Sequence, residues 1–242
     1  LSTLSPRYPL YGAIIFFGVN CLLLIGATLA LPRIRADNHV GKTAAAEKKD
    51  QSTYLRYPAW IGLFVTFTVL GVTVTVFPMY ARDDLGLSKS AIGMLLLCRA
   101  LLSAFTFLVL GRGSFWHFRP LPMTMGLGLL SVFVLVLVRT DSLFVLGLIL
   151  ALMGPLVSLG FSYSFFHGAS GASRRATRMA IHEALLASGL IMGSTVGGEL
   201  YQRFSMTSVS YFCATLLVLA ILLQILLVQR WKIREKSKTG RR

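Results

Sequence analysis

Seven long apolar stretches alternate with short polar ones along the chain, near 8–32, 57–81, 90–111, 120–138, 142–166, 180–201 and 204–229. A bilayer core about 30 Å thick takes roughly 20 helical residues to cross. Each stretch is near that length, and none shows the period-two alternation of a barrel strand. The pattern predicts seven membrane-spanning helices, because backbone amides in lipid must be satisfied within their own segment.

Composition agrees. Hydrophobic residues make up 55% and charged residues 14% of the 242, against about 25% charged in soluble domains. The net charge of +15 raises the question of nucleic acid, and its distribution argues against it. The segments at 33–56, 112–119 and 167–178 and the tail from Arg230 hold 18 of the 24 Lys and Arg. The other side has Arg7, Arg82, Lys89, Arg139 and Arg203, and Arg99 lies inside a span. Basic residues gathered in alternate loops mark the cytoplasmic face. The expected protein is integral to the cell (inner) membrane, with Leu1 outside and Arg242 in the cytoplasm.

The same parity decides the weakest span. Segment 180–201 carries His182, Glu183 and Glu199. If it did not cross, the basic tail would lie outside, so it is read as a helix. Tyr8, Tyr11, Trp60, Tyr80, Trp116, Tyr201, Tyr211 and Trp231 fall near span ends, where an aromatic belt is expected. Cys21, Cys98 and Cys213 lie within spans and read as small buried residues.

The expected organisation is a helix over 1–32, a cytoplasmic loop over 33–56, a six-helix unit over 57–230 and a basic tail over 231–242. The groups 57–138 and 142–229 enter from opposite sides, as in inverted three-helix repeats. The first residue is Leu1 and the first span lacks the basic start of a signal peptide, so the chain is read as a fragment.

At this point the chain resembles the C-terminal half of a major facilitator superfamily transporter. The first span corresponds to the sixth helix of such a protein, and 33–56 to its central loop. A Gly-x-x-x-Asp-Arg-x-Gly-Arg type motif of the family falls on 111–119. Gly111 and Arg119 fit; Arg112 adds a base; Phe115 replaces the acid, Trp116 the adjacent base and Phe118 the second glycine. The resemblance implies an all-α, MFS-like bundle, a partner half, and alternating-access transport of a small solute.

Arg99 is the sharpest candidate for chemistry. A charge at mid-span costs about 2.5–3.5 kcal/mol on insertion scales, so it should face the bundle interior or a cavity. No acid lies at similar depth, which points to an anion or another polar organic molecule as substrate; drugs and sugars stay open. His182 and Glu183 form a second cluster, with Glu183 a candidate proton carrier. A plainer reading pairs Glu183 with Arg174, Arg175 and Arg178. Gly189, Gly193 and Gly197 recur every four residues, and Gly154 and Ser158 repeat that spacing, which lets helices approach closely. Pro155 can kink its helix. Asn20 and Thr73 are weaker polar candidates, and Gln224 reads as an interhelical hydrogen bond.

No phosphate loop, His-Glu-x-x-His, Cys-x-x-Cys or Gly-x-Ser-x-Gly occurs. Neither a cofactor nor a metal is expected, and the chain is read as a non-enzyme. The runner-up functions are a seven-helix receptor and a non-transporting scaffold. Against the receptor, the last span has no retinal lysine and the chain lacks Asp-Arg-Tyr.

Overall fold

The computed structural model describes residues 54–170 and 175–239. The span at 8–32 with Asn20 and Cys21, most of the loop at 33–56, and Arg174 lie outside the described residues.

The described chain is six helices: α1 (Arg56–Asp83), α2 (Lys89–Arg112), α3 (Leu121–Leu137), α4 (Leu143–Ala169), α5 (Arg175–Arg203) and α6 (Met206–Thr239). All but α3 are long and apolar enough to cross a membrane. The segment predicted as a span at 120–138 yields only 17 helical residues, about 25 Å at 1.5 Å per residue. Pro122 opens that helix, where a missing N–H costs nothing. The doubtful segment at 180–201 is helical and longer than expected, because α5 already begins at Arg175. The helix α6 runs on to Thr239, past the point where the basic tail was expected to start.

Local chemistry marks the ends. The Ser88 hydroxyl accepts from the Ala91 amide at 3.2 Å and caps α2. Gly86, at φ +64°, makes the tight α1–α2 turn that a side chain would strain.

Inside α1, residues Val72–Val76 form a π-helical turn. Pro78 follows it after a single residue, Phe77. A proline ring clashes with the carbonyl four residues back and brings no N–H, and a widened turn relieves both problems. Thr73 donates to Val69 O at 2.8 Å and Thr75 to Gly71 O at 2.6 Å. Such threonine bonds and π adjustments are how lipid-embedded helices re-satisfy backbone near proline.

The bundle is held by two principal seams, α2 against α4 and α1 against α5. Exchange the triplets α1–α3 and α4–α6, and the first seam becomes the second. The α3–α6 contact maps onto itself, and α1–α6 maps onto α4–α3. Inverted repeats predict this pattern.

Small residues make both seams close. A Cβ added to Gly189 would lie 2.5 Å from Phe64 O, and one on Gly193 would strike Thr68 O. Gly197 faces Val72, and a Cβ added to Gly71 would lie 2.5 Å from Leu190 O. On the other seam, a Cβ at Gly154 would strike Arg99 O and sit 3.0 Å from Ser103 N. Ser103 Oγ and Ser158 Oγ are 2.6 Å apart. The Ser158 hydroxyl also lies 2.9 Å from Ser103 O and 3.2 Å from Gly154 O, so it donates to a carbonyl and accepts from Ser103.

Candidate functional site

Arg99 sits near the middle of α2. Its Nε is buried and has no hydrogen-bond partner among the described residues. It opens on a cavity of about 640 Å³ formed by α1, α2, α4 and α5. Phe67 and Leu70 of α1, Ser103 and Phe107 of α2, Phe161 of α4 and Leu186 of α5 are among its lining. Ligand pockets typically measure 300–1,000 Å³ and combine apolar walls with a few polar groups.

The α2–α4 seam fixes the floor of this cavity. Gly154 brings α4 onto the Arg99 backbone, and the Ser103–Ser158 pair locks the next turn. Arg99, Ser103 and Phe107 recur every four residues and share one helix face. Phe161 is the hub of the aromatic wall, with ring centroids 6.2 Å from Phe67 and 5.6 Å from Phe107.

Phe107 and Phe161 also line a second cavity of about 420 Å³, toward Gly111, Ser170 and Arg175. The two rings, crossed at 89°, are thus the shared wall between the Arg99 cavity and the basic end of the bundle.

His182 and Glu183, neighbours in sequence, point into different surroundings. The ring of His182 is fully buried and lies two turns inside α5. Nδ1 is 2.9 Å from Ser164 Oγ, and the ring stands edge-on to Phe161 at 5.0 Å and Phe165 at 5.8 Å. Glu183 is exposed, since consecutive helical residues point about 100° apart, and it forms no ion pair among the described residues. His182 instead shares the face of Gly189, Gly193 and Gly197; its spacing of seven from Gly189 carried that signal.

Other candidates separate from the cavity. The hydroxyl of Thr73 is bound within α1. Pro155 is half-buried and does not line the Arg99 cavity. Gln224 Nε2 donates to Pro58 O at 2.8 Å, an interhelical bond. Gly111 and Arg112 are exposed, and Gly111 lines the second cavity.

The motif segment 111–119 works differently from an interfacial loop. Trp116, expected in an aromatic belt, is buried and donates to Leu110 O at 3.2 Å. Its ring meets those of His117 and Phe166 edge-on and that of Tyr163 at a tilt. Tyr163 donates to Arg119 O at 2.7 Å. Phe118 has φ +54°, so the position where the motif has glycine keeps a left-handed backbone while carrying a ring. Of the two aromatics that stand where the motif has its acid and base, Trp116 packs inward while Phe115 is exposed.

Sequence reasoning missed the backbone contacts by which two arginines close the basic end. Arg56, buried, donates to His167 O at 3.2 Å, and Arg178 Nη1 donates to Ser170 O at 2.7 Å. Both cations sit on the terminal carbonyls of α4, where the helix dipole is negative.

No curated protein matches the chain by sequence. A family model described as Major Facilitator Superfamily matches residues 1–173, well over half of the 242 residues. With that match on an all-helical bundle of apolar helices, the chain belongs to the Major Facilitator Superfamily and is an integral membrane protein of that transporter family.

Proposed function

We propose that the protein is a secondary transporter that moves a small solute by alternating access, with Arg99 in contact with the solute near the membrane midplane. The observation that carries this reading is a buried, unpartnered guanidinium nitrogen at mid-helix, opening on a four-helix cavity. Intramembrane charges of this kind mark substrate or ion pathways.

In this proposal residues 57–230 move as one six-helix unit against a second unit of the same protein. The basic end faces the cytoplasm, as the loop charges require. The membership in a transporter family favours a carrier over a receptor or a scaffold.

The test is uptake by the intact protein in proteoliposomes, using a panel of labelled sugars, amino acids, organic anions and organic cations. At least one solute should accumulate above protein-free vesicles. Arg99→Ala, shown by gel filtration to be folded, should cut that uptake by tenfold or more. Undiminished uptake by Arg99→Ala removes the arginine from the mechanism.

A further inference from the structure

We propose that the Arg99 cavity takes a monoanion with an apolar, ring-bearing body, an inference that rests on Arg99 being the solute contact. The argument is one of charge and hydrogen-bond balance. Arg99 is the single formal charge among the described residues lining the cavity. Arg99 is half-buried with its Nε enclosed and unpartnered among the described residues, and a partly desolvated guanidinium favours an anion over a cation as its ligand. A second negative charge on the ligand would find no cationic partner among the described lining residues, which disfavours phosphate monoesters and dicarboxylates.

The one hydroxyl among the described lining residues, that of Ser103, is already engaged with Ser158 at 2.6 Å. A sugar would bury several hydroxyls without partners, at about 1–3 kcal/mol each. The remaining lining is apolar, and the linked rings of Phe67, Phe107 and Phe161 form one side of it. Rings favour offset and edge-to-face partners at 4.5–7 Å, so a planar apolar body gains from this wall. The charge fixes one end of the ligand and the wall holds the other.

The test uses intact, delipidated protein in a neutral detergent and labelled benzoate as the probe. Competitors are benzamide (the ring without the charge), acetate (the charge without the ring), benzylammonium, inorganic phosphate and glucose. Benzoate should bind saturably, and every competitor should be at least tenfold weaker. Arg99→Gln should weaken benzoate binding at least tenfold, Arg99→Lys should retain part of it, and Phe161→Leu should narrow the gap between benzoate and acetate. Equal displacement by benzamide, benzylammonium or glucose overturns the proposal without any variant having to fold. Full displacement by equimolar phosphatidylglycerol also overturns it, by making the site a lipid-headgroup seat. If a neutral solute shows Arg99-dependent uptake while benzoate does not bind, the carrier reading stands and the monoanion is wrong. If nothing is taken up in an Arg99-dependent way, the carrier site itself fails.

Discussion

Gly71 on α1 and Gly154 on α4 hold matching stations. Each brings its helix into backbone contact with a helix of the other triplet, at Leu190 and at Arg99 respectively. Each is also followed at once by an irregularity, the π turn Val72–Val76 after Gly71 and Pro155 after Gly154. By this correspondence Leu190 is the counterpart of Arg99. The charge is therefore a feature of one repeat only, which is what a substrate contact added to a symmetric scaffold would look like.

The close seams make a sharp stability prediction. In Gly154→Ala and Gly193→Ala the new Cβ meets backbone atoms, which cannot swing aside, and each should destabilise the bundle by about 1–3 kcal/mol. Gly93→Ala is the control: nothing lies within 4 Å of its Cβ position, and removing glycine from a helix should stabilise by roughly 0.5–1 kcal/mol. Melting midpoints in one detergent should fall for the first two and rise for the third.

At Phe118 the usual order of Ala and Gly should invert. A left-handed backbone costs a side chain roughly 1–2 kcal/mol. Phe118→Ala keeps that cost and loses the ring contact with Phe166 at 5.2 Å. Phe118→Gly loses the contact and the cost together. The Gly variant should be more stable than the Ala variant by about 1 kcal/mol; chemical unfolding of the pair checks it.

Gln224 ties α6 to α1 through Pro58 O. Gln224→Leu should cost about 0.6 kcal/mol, the typical worth of an interhelical bond in membranes. Gln224→Glu places a carboxylate at a buried position and should cost roughly 2.5–3.5 kcal/mol. Comparable losses in the two variants would contradict this placement.

His117, in the loop between α2 and α3, has its pKa pushed below the ordinary 6.5 by burial. Its ring lies flat on Phe166, with centroids 4.0 Å apart. A depressed histidine pKa means that the unfolded chain binds the proton more readily than the folded one. Stability is then unaffected at neutral pH and above, and falls as pH drops below about 6.5. The drop in melting midpoint between pH 7.5 and 5 should shrink in His117→Gln.

The helices were legible because length and apolarity are properties of the segments themselves. Charge parity even recovered α5, whose hydropathy is the lowest of the crossing helices. The site was legible only in part. Arg99 stood out because its cost is intrinsic, whereas its aromatic wall draws on three helices and no single span shows it. The direction of His182 was readable from its spacing to the glycines, yet adjacency to Glu183 suggested a pair. The buried state of Trp116 depended on Phe166 and Tyr163 of a distant helix, which local pattern does not reveal.

The turn at Val72–Val76 holds one residue more than a regular helical turn would. Past it, every side chain from Phe77 to Asp83 is rotated by about 100° from where a straight helix would carry it. Residue-by-residue alignment of α1 with an unbroken relative therefore slips out of phase there by a single position. Conversely, trimming one valine from that run should re-aim the helix end without shortening any loop.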